Sequence, residues 1–359
     1  MNVLQVCAYA APYGGNFVNS LKHLEIEIKK DGNNVVYVLP ENARYKDWCI
    51  SLQKTNRVYY LPVAHARIKP TVYKKLKTII KQNKIDIIHS HFELYDIPVS
   101  LVAPKHIKVF WHLHDPLEDS YNGFSLLHKL LTRFQYGYLG KKAKLLSVSL
   151  KHKAFVERLG MKQSNTYYLP NGIDLSRIKF AYKDTYLNQY LLFGWDYERK
   201  GVKTAIDAFV LAHMDRKSLV LDIVAGDDVS RKIQALKYKE DINKYVRVIP
   251  ANDDVSALYQ THSCFLHISK AEGLSYALLE AVYSGIDAIV SDIPENEFAK
   301  EFRGVSFVTV NDSKGLAKMI KEKDNRISLE DINYNRCIIE KKYSLEAWVE
   351  QVKRFYYGK

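Results

Sequence analysis

Cys264–Ile289 reads CFLHISKAEGLSYALLEAVYSGIDAI. The apolar run Cys264–Ile268 has the length and bulk of a buried strand, a short loop follows, and from Ser275 onward the apolar residues recur at helical spacing. Where a strand passes through a loop into a helix, the first backbone N–H groups of the helix lack partners. The positive end of its dipole faces the loop, so a phosphate docks there without a metal. Gly273 lets a ligand come close to the backbone. The helix Tyr276–Ser284 carries Leu278, Leu279, Val282 and Tyr283 on nearly every side, which predicts burial, and Glu280 is its one charge. A buried carboxylate needs a partner. Glu272, eight positions earlier in the loop, sets a second carboxylate at the same rim. The plainer alternative is that Glu272 only ends a loop and Glu280 reaches solvent.

The whole chain has 359 residues, 47% of them hydrophobic, enough for large cores and more than one sheet-centred domain usually needs. Two domains are expected. Cys7, Cys49, Cys264 and Cys337 lie far apart and form neither a CxxC nor a zinc spacing, so they read as reduced thiols of a cytosolic protein. MNVLQVCAYAAPYGG has no basic leader and moves directly into a strand, and no apolar run reaches the length of a membrane span. The net charge of +13 is unevenly divided: residues 1–170 hold 25 Lys and Arg against 12 Asp and Glu, whereas residues 171–359 hold 28 of each. The first half therefore suits an anionic partner, a membrane surface or a nucleic acid, and the second half does not.

Taken in order, Val3–Cys7 is a strand leading through Gly14 and Gly15 into a helix, the start of a dinucleotide-style crevice. Val35–Leu39 is a second strand. ARIKPTVYKKLKTIIKQNK sets Val72, Leu76, Ile79 and Ile80 at helical spacing under a wholly basic face, either a solvated surface or a membrane contact. IDIIHSHF and HIKVFWHLHDP are buried strands that end in His89 and His91, and in His112 and His114. Ligands of open α/β sheets lie beyond the carboxyl ends of strands, so these histidines are expected to converge on one crevice. An HxH within a strand puts both rings on one face of the sheet, and no cysteine or carboxylate set completes a zinc pattern. FSLLHKLLTRFQYGYLGKKAK is a basic, aromatic amphipathic helix of the kind that lies on membranes, with a core helix as the alternative. Pro170-Asn171-Gly172 punctuates the chain where the charge balance shifts. Strand and helix patterns then alternate again through YLLFGWD, VKTAIDAFVLA, LVLDIVAGDD and YVRVIPAN. FRGVSFVTVND reads as irregular, and SLEAWVEQVKRFYYG as an amphipathic helix.

KAEGLSYALLEAVYSG resembles the E-x7-E signature of the retaining GT-B glycosyltransferases of glycosyltransferase family 4, including the Gly after the first Glu, the LLEA run and the closing Ser-Gly. The resemblance implies that Glu272 faces the donor sugar, that Glu280 takes the ribose hydroxyls, and that the backbone of Leu274, Ser275 and Tyr276 holds the diphosphate. His-Asp after the fifth strand resembles the family's histidine on the transferred sugar, which points to His114, with His112 as the alternative. Lys200-Gly201 resembles the family's KG, whose lysine neutralises the diphosphate. The arginine usual after the preceding glycine is replaced by Trp195, and Arg199 is the candidate for that second charge. PNGID resembles the family's interdomain segment, Gly14 and Gly15 its Gly-Gly loop, and Ile249–Ala251 the backbone that meets the nucleotide base.

The expected fold is thus α/β of the GT-B type, two doubly wound Rossmann-like domains facing across a cleft. Residues 1–170, joined by the C-terminal helix 344–359, form the acceptor side, and residues 171–343 hold the donor. The implied activity is transfer of a hexose from a nucleotide-diphosphate sugar to a saccharide hydroxyl with retention, with no metal and no further cofactor. The basic first half points to a lipid-linked acceptor in assembly of a bacterial surface polysaccharide. The protein would be cytoplasmic and peripheral on the inner face of the cell membrane. A nucleotide-sugar epimerase shares such a cleft, but its motifs differ and a basic acceptor domain would be superfluous to it. A nucleic-acid-binding protein would use the charge, but no readout motif is present and the Glu-x7-Glu string would go unexplained. A dehydrogenase would need a G-x-G-x-x-G after its first strand, which is absent.

Overall fold

The computed structural model describes residues 1–181, 188–238, 241–250, 254–323 and 326–358. They form two compact units, one of Met1–Gly172 with Leu345–Lys359 and one of Ile173–Ser344. The break follows Gly172, two residues after the expected position, and the last helix belongs to the first unit.

The first unit is a seven-stranded parallel sheet. Its strands are β1 (Asn2–Cys7), β2 (Asn34–Pro40), β3 (Arg57–Leu61), β4 (Ile87–His91), β5 (Lys108–Leu113), β6 (Lys144–Ser147) and β7 (Thr166–Tyr168), in the order β3-β2-β1-β4-β5-β6-β7. Side chains alternate across a strand, so β1 feeds two cores. Leu4 and Val6 join Val72, Leu76, Ile79 and Ile80 of the helix Pro70–Gln82 on one face. Val3 and Cys7 join Phe17, Leu21 and Leu24 of the helix Gly15–Lys30 on the other, together with Trp348, Val349, Val352 and Tyr356 of the helix Leu345–Tyr357. The helix Pro70–Gln82 keeps its lysines exposed over a buried aliphatic stripe, as its spacing predicts.

The helix Leu126–Gly137 is turned the other way. Its buried residues are Thr132, Gln135 and Tyr136, whereas Leu126 is 76% exposed and Leu127, Leu130, Phe134 and Tyr138 also face outward. The inward face packs Tyr136 into the core, edge-on to Trp111, and adds polar contacts. Gln135 Nε2 donates to Asp96 Oδ2 at 3.0 Å, and the Tyr136 hydroxyl donates to Glu93 Oε2 at 3.4 Å. The helix is thus part of the core through Tyr136 and Leu131, while the larger share of its apolar residues faces outward.

The second unit is a six-stranded parallel sheet of β8 (Gln189–Phe193), β9 (Val220–Val224), β10 (Val246–Ile249), β11 (Cys264–His267), β12 (Asp287–Ser291) and β13 (Val305–Val308), in the order β10-β9-β8-β11-β12-β13. The segment read as irregular contains β13, a short edge strand. Strand order reverses between β8 and β11, the switch point where open α/β sheets bind ligands. No described helix is long and apolar enough to cross a membrane.

Candidate active site

The loops after β8 and β11 meet at that switch point. Each ends in a helix N-terminus, Gly201 capping Val202–His213 and Ser275 capping Tyr276–Ser284. Ser275 Oγ accepts from Leu278 N at 3.2 Å and closes the first turn. Gly201 has φ +66°, and a Cβ there would stand 2.5 Å from the carbonyl oxygen of Ile268, so only glycine lets the two loops approach this closely. Lys270 N donates to the Arg199 carbonyl at 2.8 Å and ties the loops a second time.

This junction brings Lys200 to Glu272, with Nζ 2.5 Å from Oε1 and both residues buried. Arg199 Nη1 lies 3.2 Å from the same oxygen, while Arg199 Nε reaches Asp196 at 3.1 Å. Burial alone would raise the pKa of Glu272, but attraction to Lys200, then to His267 and Arg199, holds it at about 2. Burial lowers the pKa of Lys200 against the opposing pull of Glu272, and Arg199 adds repulsion. Trp195, where the family pattern has an arginine, offers its ring 5.0 Å below Lys200 Nζ. Two cations, one carboxylate and two helix N-termini thus share one rim, an arrangement suited to a dianionic leaving group.

Glu280 is buried within its helix and accepts from the Tyr259 hydroxyl at 3.1 Å, so the solvent-reaching alternative fails for it. Leu274 is buried and Tyr276 opens the helix. Ile249 ends β10, two strands from β8, and Ala251 lies outside the described residues. The sequence reading overlooked His267 at the end of β11. It is buried, its pKa is lowered to about 4 by burial against the attraction of Glu272, and its Nε2 has no hydrogen-bond partner among the described residues. Its place at the carboxyl end of a strand beside the switch point was the available signal.

In the first unit the loop after β1 turns at Gly15, φ +54°, into the helix Gly15–Lys30. A Cβ on Gly14 would press on Val18 and Trp48 at 3.1 and 3.2 Å. Phe17 of that helix lies edge-on to His91 and His114, each 5.3 Å away between ring centres. The expected convergence of four histidines on a crevice needs correction. His89, His91 and His112 are fully buried, and His89 lies against Tyr356 of the helix Leu345–Tyr357; only His114 is half-buried. Burial, then the neighbouring imidazoles, keeps His91 and His112 far below the usual histidine range, so the stack is neutral. Ring nitrogens of His89, His91 and His112 come within 4.8 Å of one another. Yet the His89 and His112 planes are 2° from parallel at 5.3 Å, which leaves their in-plane lone pairs side by side rather than converging on one ion.

Two successive parallel sheets, each wound in the 3-2-1-4-5 order of a nucleotide-binding unit, define the GT-B class. HepE of Anabaena, solved in complex with UDP, has the same fold: TM-score 0.78 at 16% identity over 100% of both chains. The family profile described as Glycosyltransferase Family 4 matches residues 18–177, and that of Glycosyl transferases group 1 matches residues 185–336. The chain belongs to this family of glycosyltransferases. It is 30% identical to the lipopolysaccharide glucosyltransferase WaaG of Escherichia coli K12 over 125 residues, 35% of this chain and only 33% of WaaG. It is 22% identical to the capsular polysaccharide biosynthesis glycosyltransferase CapH of Staphylococcus aureus over 296 residues, 79% of this chain and 80% of CapH.

Proposed function

We propose that the protein transfers a hexose from a nucleotide-diphosphate sugar to a hydroxyl of a saccharide acceptor, with retention and without a metal. The observation that carries this reading is the Lys200–Glu272–Arg199 cluster beside two helix N-termini at the β8/β11 switch point. In this reading the donor diphosphate competes with Glu272 for Lys200 and Arg199, and the backbone of Leu274–Tyr276 supplies amide donors. Glu272, relieved of one cation, turns to the sugar. Glu280 holds the ribose, His114 meets the transferred sugar, and Gly14-Gly15 line the acceptor side. The charge that develops on the leaving diphosphate is met by groups already in place. Turnover of a panel of nucleotide sugars with a saccharide acceptor, with the anomer read by NMR, tests it. Activity should persist in EDTA. A requirement restored only by Mn²⁺ or Mg²⁺ would refute the metal-free part, and donor conversion without an acceptor would favour the epimerase.

We further infer that the acceptor is lipid-linked and that the protein works as a peripheral protein on the cytoplasmic face of a membrane. The outward Leu126, Leu127, Leu130, Phe134 and Tyr138 support this, flanked by Arg133, Lys141 and Lys142, because such a stripe gains from entering an anionic lipid interface. Anionic vesicles should sediment the protein, and Leu126→Glu with Leu130→Glu should weaken binding at least tenfold. Equal, negligible binding to anionic and neutral vesicles would refute it.

A further inference from the structure

Of the four tryptophans, Trp48, Trp111 and Trp348 are buried, whereas Trp195 is 52% exposed. Single exposed aromatic rings are common on protein surfaces, but this one stands on the rim of the Lys200–Glu272–Arg199 cluster. The strand before it sets its place. Gly194 N donates to the Val224 carbonyl at 2.9 Å, so pairing with β9 continues one residue past the end of β8. A Cβ on Gly194 would stand 2.8 Å from Ile223 and 3.0 Å from Val202, so the backbone is held tightly at this point. Side chains alternate along an extended chain, which brings Trp195 out on the side of Phe193, with ring centres 5.6 Å apart. Phe193 is buried and lies edge-on to Phe265 at 5.3 Å, so the indole has a rigid support.

An arginine at this position would add charge for a diphosphate, and an indole does not. It offers a flat apolar face of negative partial charge instead. A pyranose ring suits such a face, because its axial C–H groups form a weakly hydrated patch of positive partial charge and its hydroxyls project around the edge. Lys200 Nζ lies 5.0 Å from the indole centre and 2.5 Å from Glu272 Oε1, so ring, ammonium and carboxylate stand side by side. In the donor arrangement put forward above, Lys200 meets the diphosphate and Glu272 the sugar. The base end falls at Ile249 on β10, two strands from β8. The sugar is therefore the part of the donor nearest to Trp195.

We propose, on the basis of that glycosyl transfer, that Trp195 is a specificity-determining residue that stacks on the pyranose ring of the donor sugar while Glu272 takes hydroxyls at its edge. The sugar then contributes donor affinity of its own, beyond that of the nucleotide. A ring that served only to hold Lys200 by cation–π attraction would matter equally to a nucleoside diphosphate with and without its sugar.

Calorimetric titration with UDP-glucose, UDP-galactose, UDP-N-acetylglucosamine and GDP-mannose, each beside UDP or GDP, measures that difference. Trp195→Ala should weaken the tightest of these nucleotide sugars by roughly fivefold to tenfold and its parent diphosphate by less than about twofold, and Trp195→Phe should keep most of the affinity. Acrylamide quenching of tryptophan emission gives a second reading, the accessible signal being assigned to Trp195 by its loss in Trp195→Phe. The nucleotide sugar should shield that signal, and the parent diphosphate should not. Equal losses for sugar and diphosphate in Trp195→Ala would overturn the proposal, and so would a Trp195 signal that is quenched alike with and without the sugar. Either result leaves glycosyl transfer standing and removes only the stack. If none of the nucleotide sugars binds, the glycosyl transfer falls and the stack with it.

Discussion

Replacing Glu272 by Gln removes the charge that holds two cations in a buried site, and the size of the loss follows from its titration. A carboxyl drawn from its ordinary 4.5 down to about 2 by Lys200, His267 and Arg199 stabilises the folded unit by about 3 kcal/mol at neutral pH, at ~1.4 kcal/mol per pH unit. Because the folded value is the lower one, this contribution is complete above pH 4.5 and is lost as pH falls through about 2. For a unit of this size a kcal/mol moves Tm by about 2–4 °C, so Glu272→Gln should melt roughly 6–12 °C below wild type at pH 7. The gap should close as pH is lowered toward 2. Scanning calorimetry between pH 2 and 7 measures both, and the change should be confined to the transition of the second unit. A gap of constant size across that range would refute the reasoning, since it would mean that the pair contributes packing rather than charge. Lys200→Met should cost less than Glu272→Gln, because Arg199 still attends Glu272 at 3.2 Å.

Gly201→Ala forces an unfavourable left-handed backbone, worth about 1–3 kcal/mol, and drives a Cβ at the Ile268 carbonyl, so a lower Tm and weaker binding of a nucleoside diphosphate by calorimetry are expected. Asp96, buried beneath the helix Leu126–Gly137, has its pKa raised to about 7, chiefly by burial. The folded form therefore loses stability as pH rises from 4 through 7, and Asp96→Asn should be neutral near pH 4 and stabilising above pH 7 in thermal melts. Ser275→Ala removes the cap of the helix Tyr276–Ser284, with an expected loss of about 1 kcal/mol by denaturant unfolding.

The strand, loop and helix of Cys264–Ser284 could be read from the sequence because each signal there is local: an apolar run, a loop glycine, a capping serine and a helical repeat of Leu and Val. Burial of Glu280 followed from the apolar residues around it. The partners of Glu272 were less visible, since Lys200 and Arg199 lie far earlier in the chain and meet it only because β8 and β11 pair. The histidines misled for the opposite reason. Polar rings at strand ends suggest a crevice, yet here they are covered by Tyr356 and Trp348, contributed by a helix at the other end of the sequence. Nor does periodicity say which face of an amphipathic helix turns inward; for Leu126–Gly137 that depends on Asp96 and Glu93 waiting beneath Gln135 and Tyr136.

The chain leaves the first unit after Gly172 and returns at Leu345, and the two ends of the second unit are clasped together, Ile173 N donating to the Tyr343 carbonyl at 2.7 Å. The second unit is thus an insertion with coincident ends, a cassette that holds all of its own strands between two neighbouring points of the first unit's chain. The first unit, although begun earlier, keeps part of one face of its sheet uncovered until Trp348, Val349, Val352 and Tyr356 have been made. The first unit is therefore begun first and sealed last: its histidine-bearing sheet waits on residues translated after the whole of the unit expected to hold the donor.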